Sequence, residues 1–80
     1  MVVDDKDMRQ IFTEELDISE DRVVATLEYN TVPEWDSIAH MRLVAALEDK
    51  FDIMIDIDDV IEMSTFAIAC DTVKKYVSEN

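Results

Sequence analysis

The chain contains no glycine in its 80 residues. Glycine is the residue that adopts positive φ angles at no steric cost, and glycine-rich loops form the phosphate cradles of nucleotide-binding motifs. The turns of this chain must therefore rely on Asn30, Pro33 and the Asp and Ser residues, which tolerate turns through side-chain hydrogen bonds or a fixed φ. We therefore do not expect nucleotide binding through a glycine-rich loop.

Length and charge restrict the function further. Eighty residues form one domain, 1–80, with a modest core and little room for catalytic machinery. Because 49% of the residues are hydrophobic, the chain is expected to fold despite a net charge of -13. That charge repels nucleic acids and anionic membrane surfaces and attracts proteins with Lys/Arg patches. We therefore expect basic protein partners and no nucleic acid.

The cysteine content and the acidic runs bear on redox state and on metal binding. One cysteine, Cys70, cannot form an internal disulfide and is expected to be a small core residue. The run Asp56-Ile57-Asp58-Asp59 lacks the glycine turn and the terminal Glu of a calcium-binding EF-hand loop. No segment has the apolar length of a signal sequence or a membrane span. We expect a cytoplasmic monomer with neither a metal site nor a membrane anchor.

Helical spacing of apolar residues predicts the first half of the fold. A first helix is expected from about Asp5 to Leu16, with Asp4 or Asp5 as its cap. A long connection follows, in which one short helical turn opens at Ser19-Glu20-Asp21. Its packed positions are expected to be Val23, Val24 and Leu27. So long a loop in a small domain usually carries function or joins helices that are not antiparallel neighbours.

The second half of the sequence predicts three more helices. The second helix begins at Ser37 and carries two adjoining apolar stripes, one of Ile38, Met41 and Ala45 and one of Leu43, Leu47 and Phe51. Residues 51–58 alternate as a strand would, but a single strand has no partner, so we expect an extended loop. A short helix follows over Asp58 to Met63, with Val60 and Ile61 packed, and the last helix begins at Ser64 or Thr65. The predicted stripe of the last helix is Phe66, Ala69, Cys70, Val73 and Val77. The expected class is all-α, a small four-helix bundle with a long first loop and a short third helix.

Ser37 stands at the entrance of the second helix. There the backbone N–H groups lack intrahelical partners and the helix dipole favours negative charge, so a phosphate ester on Ser37 would be well placed. Serine at such a boundary is also a common N-cap. Both interpretations remain open on position alone.

The stretch "WDSIAHMRLVAALEDKFDI" resembles the attachment region of acyl carrier proteins, with Ser37 between Asp36 and Ile38. The resemblance covers most of the chain and implies an acyl-carrier-protein-like bundle. It implies that Ser37 receives 4′-phosphopantetheine from coenzyme A and that the arm carries acyl or aminoacyl groups as thioesters. The protein would then be a carrier and not an enzyme, served by a phosphopantetheinyl transferase and by acyl- or aminoacyl-loading ligases and transferases with basic patches.

The resemblance also suggests where partners bind. The expected docking residues are Ile38, Met41, Arg42, Glu48, Asp49, Asp58, Asp59 and Glu62. For any one acidic residue among them, a solvated face that maintains solubility is an equally good explanation. The sequence departs from the common fatty-acid carrier pattern at Glu34-Trp35, where glycine is typical, and at Ala39 and Arg42, where acidic residues are usual. These departures favour a specialised stand-alone carrier for polyketide, aminoacyl or surface-glycan assembly.

Two aromatic side chains near Ser37 invite other interpretations. Trp35 is expected to pack over the loop rather than to contact the arm or a partner. His40, three residues after Ser37, could pair with it as a base, but no oxyanion donors or orienting group can be identified, so a solvated histidine near a phosphodiester is the simpler expectation. The alternative function is a small acidic interaction module, such as a nucleic-acid-mimicking inhibitor, which would work without the Ser37 hydroxyl.

Overall fold

The computed structural model describes residues 3–79, apart from the side chain of Glu79, and contains four α-helices within that range. They are α1 (Asp5–Leu16), α2 (Ser37–Phe51), α3 (Ile57–Glu62) and α4 (Phe66–Glu79). A 3-10 turn at Glu20–Arg22 interrupts the first loop, residues 17–36. The predicted all-α class, the four helices and the long first loop are confirmed.

Local capping explains where the helices begin and end. Asp4 caps α1 by accepting from the backbone N–H of Lys6 at 2.9 Å, and Thr65 caps α4 by accepting from that of Ile68 at 3.1 Å. α1 and α2 both end in an aspartate with a left-handed backbone, at Asp17 (φ 54°) and Asp52 (φ 55°). Aspartate thus replaces the glycine that usually occupies such positions.

The core is built around aromatic residues from three segments. Phe12 of α1 meets Trp35 of the first loop edge-on at a ring separation of 5.2 Å, and meets Phe66 of α4 at 4.8 Å. Edge-to-face contacts at these separations add to the stabilisation from burial. α1 packs along α2, whose buried positions include Leu43, Leu47 and Phe51 as predicted. The second predicted stripe of α2 is wrong, since Ile38, Met41 and Ala45 are exposed.

Backbone hydrogen bonds fasten the first loop to the link between α3 and α4. The N–H of Tyr29 donates to the carbonyl of Ser64 at 2.8 Å, and that of Phe66 donates to Leu27 at 3.0 Å. An isolated antiparallel bridge joins Glu28 to Thr65 between them. The first loop is therefore held in place beside α3, which matters for the site described below.

The predictions differ from the structure in detail. Residues 53–56 lie outside any helix or strand and form the expected loop between α2 and α3, with Ile53 and Ile55 buried. α3 begins one residue earlier and ends one residue earlier than expected. The expectation that Ile61 packs is wrong, since its side chain is 73% exposed, and Val24 is about half exposed rather than packed. Val77 is only partly buried.

Candidate functional site

Ser37 occupies the first helical position of α2, directly after the capping residue. The carboxylate of Asp36 accepts from the backbone N–H of Ala39 at 2.9 Å, and its carbonyl accepts from that of His40 at 2.9 Å. Asp36 is therefore the N-cap, and the interpretation of Ser37 as the cap is wrong. Since Asp36 does the capping, the exposed side chain of Ser37 is not needed for that role.

The electrostatics of this helix start suit a phosphate ester. α2 has 15 residues and no acidic residue in its first turn. Its N-terminal N–H groups and the positive end of its dipole favour negative charge at this point. The residues present therefore fit a phosphodiester on Ser37.

Ser37 also lines a cleft of about 290 Å³ between the start of α2, the first loop and α3. The other lining residues are Tyr29, His40, Met41, Ile57, Val60, Ile61 and Met63. Val60 and Met63 are buried at its base, while Ile57 and Ile61 project their side chains into solvent at its rim. An exposed hydroxyl thus stands beside an apolar cleft.

Sequence reasoning did not assign Ile57 and Ile61 to the site. The two residues are four positions apart, so they lie on the same face of a helix. That spacing was available in the sequence, but a strand-like alternation over residues 51–58 concealed it. The exposed pair adds apolar surface to the predicted docking residues Ile38 (68% exposed) and Met41.

His40 is buried, which overturns the expectation of a solvated histidine. Its side chain is 8% exposed, and its Nδ1 lies 3.0 Å from the indole nitrogen of Trp35. Its Nε2 lies 2.8 Å from the carbonyl oxygen of Val60 in α3. Both ring nitrogens are therefore engaged, and neither remains to accept the hydroxyl proton of Ser37.

Trp35 was predicted to pack over the first loop, and in the structure it lies in the core. Its side chain is fully buried and packs against Phe12 and, at a ring separation of 6.1 Å, against Tyr29. The prediction that Trp35 packs rather than contacts the arm or a partner agrees with this burial. The tryptophan joins the segment before Ser37 to the core.

The predicted docking residues divide into two groups. Ile38, Met41, Arg42, Asp49, Asp58 and Glu62 are exposed. Glu48 and Asp59 are half-buried: the carboxylate of Glu48 accepts from the backbone N–H of Ile55 at 2.9 Å, and that of Asp59 accepts from the hydroxyl of Tyr76 and from Lys75. The hydrogen bonds from Tyr76, chiefly, and from Lys75 lower the pKa of Asp59.

Two of the departures from the fatty-acid carrier pattern acquire a structural explanation. Ala39 is buried, so the absence of a carboxylate there does not change the charge of the exposed face. The guanidinium of Arg42 donates to the carbonyl of Glu15 at 3.2 Å, near the C-terminal end of α1, where a helix dipole favours positive charge. Arg42 thus also stabilises the contact between α1 and α2.

Other kinds of site find no support within residues 3–79. No group of three or more His, Cys, Asp or Glu residues there is placed to hold a metal ion. The helices of that range are too short or too polar to cross a lipid bilayer. Burial raises the pKa of the Cys70 thiol to about 11, as expected for a core cysteine rather than a reactive one.

Comparison with known proteins bears on the same residues. A family model described as a phosphopantetheine attachment site matches residues 6–73. The match includes all of α2 and α3, the first loop and most of α1 and α4. Covalently attached 4′-phosphopantetheine is the group that defines this family. A search of curated proteins found no match.

Proposed function

The chain belongs to the phosphopantetheine attachment-site family, and from that premise we propose that it is an acyl or aminoacyl carrier whose arm is attached to Ser37. The observation that carries the proposal is that Asp36 and Ser37 have separate roles at the start of α2. Asp36 supplies the cap, so Ser37 presents an exposed hydroxyl at a helix N-terminus that favours a phosphate ester.

In the proposed mechanism the chain holds the arm and partner enzymes do the chemistry. When attached, the arm supplies a terminal thiol that carries the acyl group as a thioester. The Oγ of Ser37 is the atom that joins the phosphate, and the N-terminal dipole of α2 offsets the negative charge of the ester. No ring nitrogen of His40 is available as a base, so we propose no reaction catalysed by the chain itself.

We place partner docking on the surface formed by α2 and α3 around the cleft, called here the α2–α3 face. Its apolar residues are Ile38, Met41, Ile57 and Ile61, and its exposed acidic residues are Asp49, Asp58 and Glu62. Such a surface suits an enzyme that offers apolar side chains surrounded by Lys or Arg. The proposed partners are a phosphopantetheinyl transferase and an acyl- or aminoacyl-loading ligase.

The pathway we propose is specialised rather than bulk fatty acid synthesis. Arg42 is a departure from the fatty-acid carrier pattern that lies exposed on the surface, at the edge of α2 beside α1. A cation there repels partner enzymes whose basic residues match an acidic carrier. Polyketide, aminoacyl or surface-glycan assembly are the candidate pathways.

Modification by a transferase tests the proposal. Incubation with coenzyme A, magnesium and a broad-specificity phosphopantetheinyl transferase should raise the intact mass by one phosphopantetheine unit. Ser37→Ala should abolish the increase, and Ser64→Ala, which removes another exposed serine, should not change it. Failure of several transferases would contradict the carrier function, and unchanged modification of Ser37→Ala would contradict the site.

A further inference from the structure

We propose that His40 is a positioning residue whose neutral form holds α3 against the Ser37 end of α2, and that protonation of His40 loosens this contact. The link rests on distances within the chain, while its consequence for docking rests on the proposed function. The imidazole stands between Trp35, which precedes the attachment residue, and Val60, which lies at the base of the cleft.

The two partners of His40 select one tautomer. The indole N–H of Trp35 can only donate, so Nδ1 must be the unprotonated nitrogen that accepts. The backbone oxygen of Val60 can only accept, so Nε2 must carry the hydrogen that is donated. Only the neutral imidazole with hydrogen on Nε2 satisfies both partners.

Protonation removes one of these hydrogen bonds and creates a conflict. The imidazolium carries hydrogen on both nitrogens, so its Nδ1–H would face the Trp35 N–H at a site that is 8% exposed. Two buried donors facing each other leave both unsatisfied, and a buried charge would remain as well. The ring can relieve this conflict by moving away from Trp35, which also moves its contact with Val60.

Within residues 3–79, no carboxylate is hydrogen-bonded or ion-paired to the imidazole. The Tyr29 ring from the first loop meets it edge-on at 5.0 Å, and the Trp35 ring lies roughly parallel to it at 5.9 Å. The nearest carboxylate in sequence is that of Asp36, the N-cap of α2, which accepts from the N–H of Ala39. From α3, the group in contact is the carbonyl of Val60, while Asp59 is engaged with Tyr76 and Lys75.

The consequence falls on the cleft beside Ser37. α3 is only six residues long, so it depends on tertiary contacts for its position. Losing the contact between His40 and Val60 would loosen α3 on its α2 side, while Asp59 stays bonded to Tyr76 and Lys75 of α4. Ile57 and Ile61, the outer apolar residues of the α2–α3 face, would then be held less firmly. An acidic environment would then weaken partner docking without any change at Ser37 itself.

The chain suits a direct test because it has one histidine and one tryptophan. Nitrogen NMR of the His40 ring in the unmodified protein should report the form with hydrogen on Nε2 at neutral pH. As the pH is lowered from about 8 to 5, the hydrogen-exchange protection factors of the Val60 and Met63 amides should fall on the order of tenfold, the size of one buried hydrogen bond. The protection factor of the Phe12 amide in α1 should stay constant.

His40→Gln provides the matched control because glutamine can donate to Val60 and does not titrate in this range. Its α3 amides should show no fall between the same pH values, which separates the effect from titration of the carboxylates. Hydrogen on Nδ1 at neutral pH, ring titration without loss of α3 protection, or the same loss in His40→Gln would each overturn the proposal. If His40→Gln does not fold, the wild-type titration decides alone. Because none of these readouts uses coenzyme A, they stay separate from the mass test of Ser37.

Discussion

The carboxylate of Asp36 accepts a hydrogen bond from the backbone N–H of Ala39 at 2.9 Å. In sequence this bond spans Ser37, the residue proposed to carry the arm. Asp36 therefore has a structural function in this chain, independent of any recognition by an enzyme. The cap fixes the first turn of α2 and so fixes the position of the Ser37 hydroxyl.

Replacing the cap should separate these two functions of Asp36. Asp36→Ala should lower the free energy of unfolding by about 1 kcal/mol, the usual effect of losing an N-cap, and Asp36→Asn should keep most of it. Urea denaturation followed by circular dichroism measures both. If Asp36 acts as a cap, the transferase should modify Asp36→Asn nearly as fast as wild type. A stable Asp36→Asn that is not modified would instead indicate that the transferase reads the carboxylate.

The left-handed aspartates that end α1 and α2 allow a test of how this chain manages without glycine. At Asp52 (φ 55°) the backbone is left-handed, a conformation that is strained for a residue with a Cβ and unstrained for glycine. Asp52→Gly and Asp52→Ala remove the same charge, so their difference reports backbone conformation. We expect the glycine variant to be more stable than the alanine variant by about 1 kcal/mol in urea denaturation. Equal stabilities would contradict a left-handed backbone at this position.

Regular spacing explains which parts of the fold the sequence predicted. α1 and α2 carry apolar residues at helical spacing over several turns, and the predicted bounds of α1 and the predicted start of α2 agree with the structure. In a helix of only six residues, the elements that pack against it determine which face is buried. Val60 and Ile61 are adjacent in sequence, yet contact with His40 places the first at the base of the cleft and leaves the second exposed.

The surroundings of His40 could not be predicted from the sequence for a similar reason. Its partners lie five residues before it and twenty residues after it, and no local pattern links Trp35, His40 and Val60. The half-buried Glu48 is another example, since its bond to the N–H of Ile55 depends on how the chain turns after α2. Periodicity predicts which residues are apolar partners, but it does not predict the partners of polar side chains.

Cys70 should be inert in the folded protein. Burial raises the pKa of its thiol to about 11, from an ordinary value near 9, so little thiolate is present at pH 8. Iodoacetamide should therefore label the native unmodified protein slowly and the urea-unfolded protein rapidly. In the modified protein the arm thiol should react first, and intact mass should show one label. Rapid labelling of the native unmodified protein would contradict burial of Cys70.

The same pKa shift predicts a loss of stability in alkali. Because the folded pKa is raised, the neutral thiol stabilises the fold fully below about pH 9, and this contribution is lost as the pH rises toward 11. Cys70→Ala lacks the titrating thiol, so its stability should fall less than that of wild type over this interval. Parallel stability curves for the two proteins would show that the thiol does not contribute to the alkaline change.

The acidic pair at the end of α2 separates docking from folding. Asp49 is exposed, but Glu48 is half-buried and accepts the N–H of Ile55, so charge reversal at the two positions should have different results. Glu48→Lys should lower stability by about 1 kcal/mol through loss of that hydrogen bond, which Glu48→Gln can largely retain.

Asp49→Lys should leave the circular dichroism melting curve unchanged. It should slow loading by a cognate enzyme severalfold at low salt and less at high salt, because charge complementarity acts mainly on the encounter rate. Loading rates of wild type, Asp49→Lys and Glu48→Gln at both salt concentrations measure this. Equal rates for all three proteins would place docking elsewhere, and a slower rate for Glu48→Gln alone would mean that partners depend on the turn after α2 rather than on the charge of Asp49.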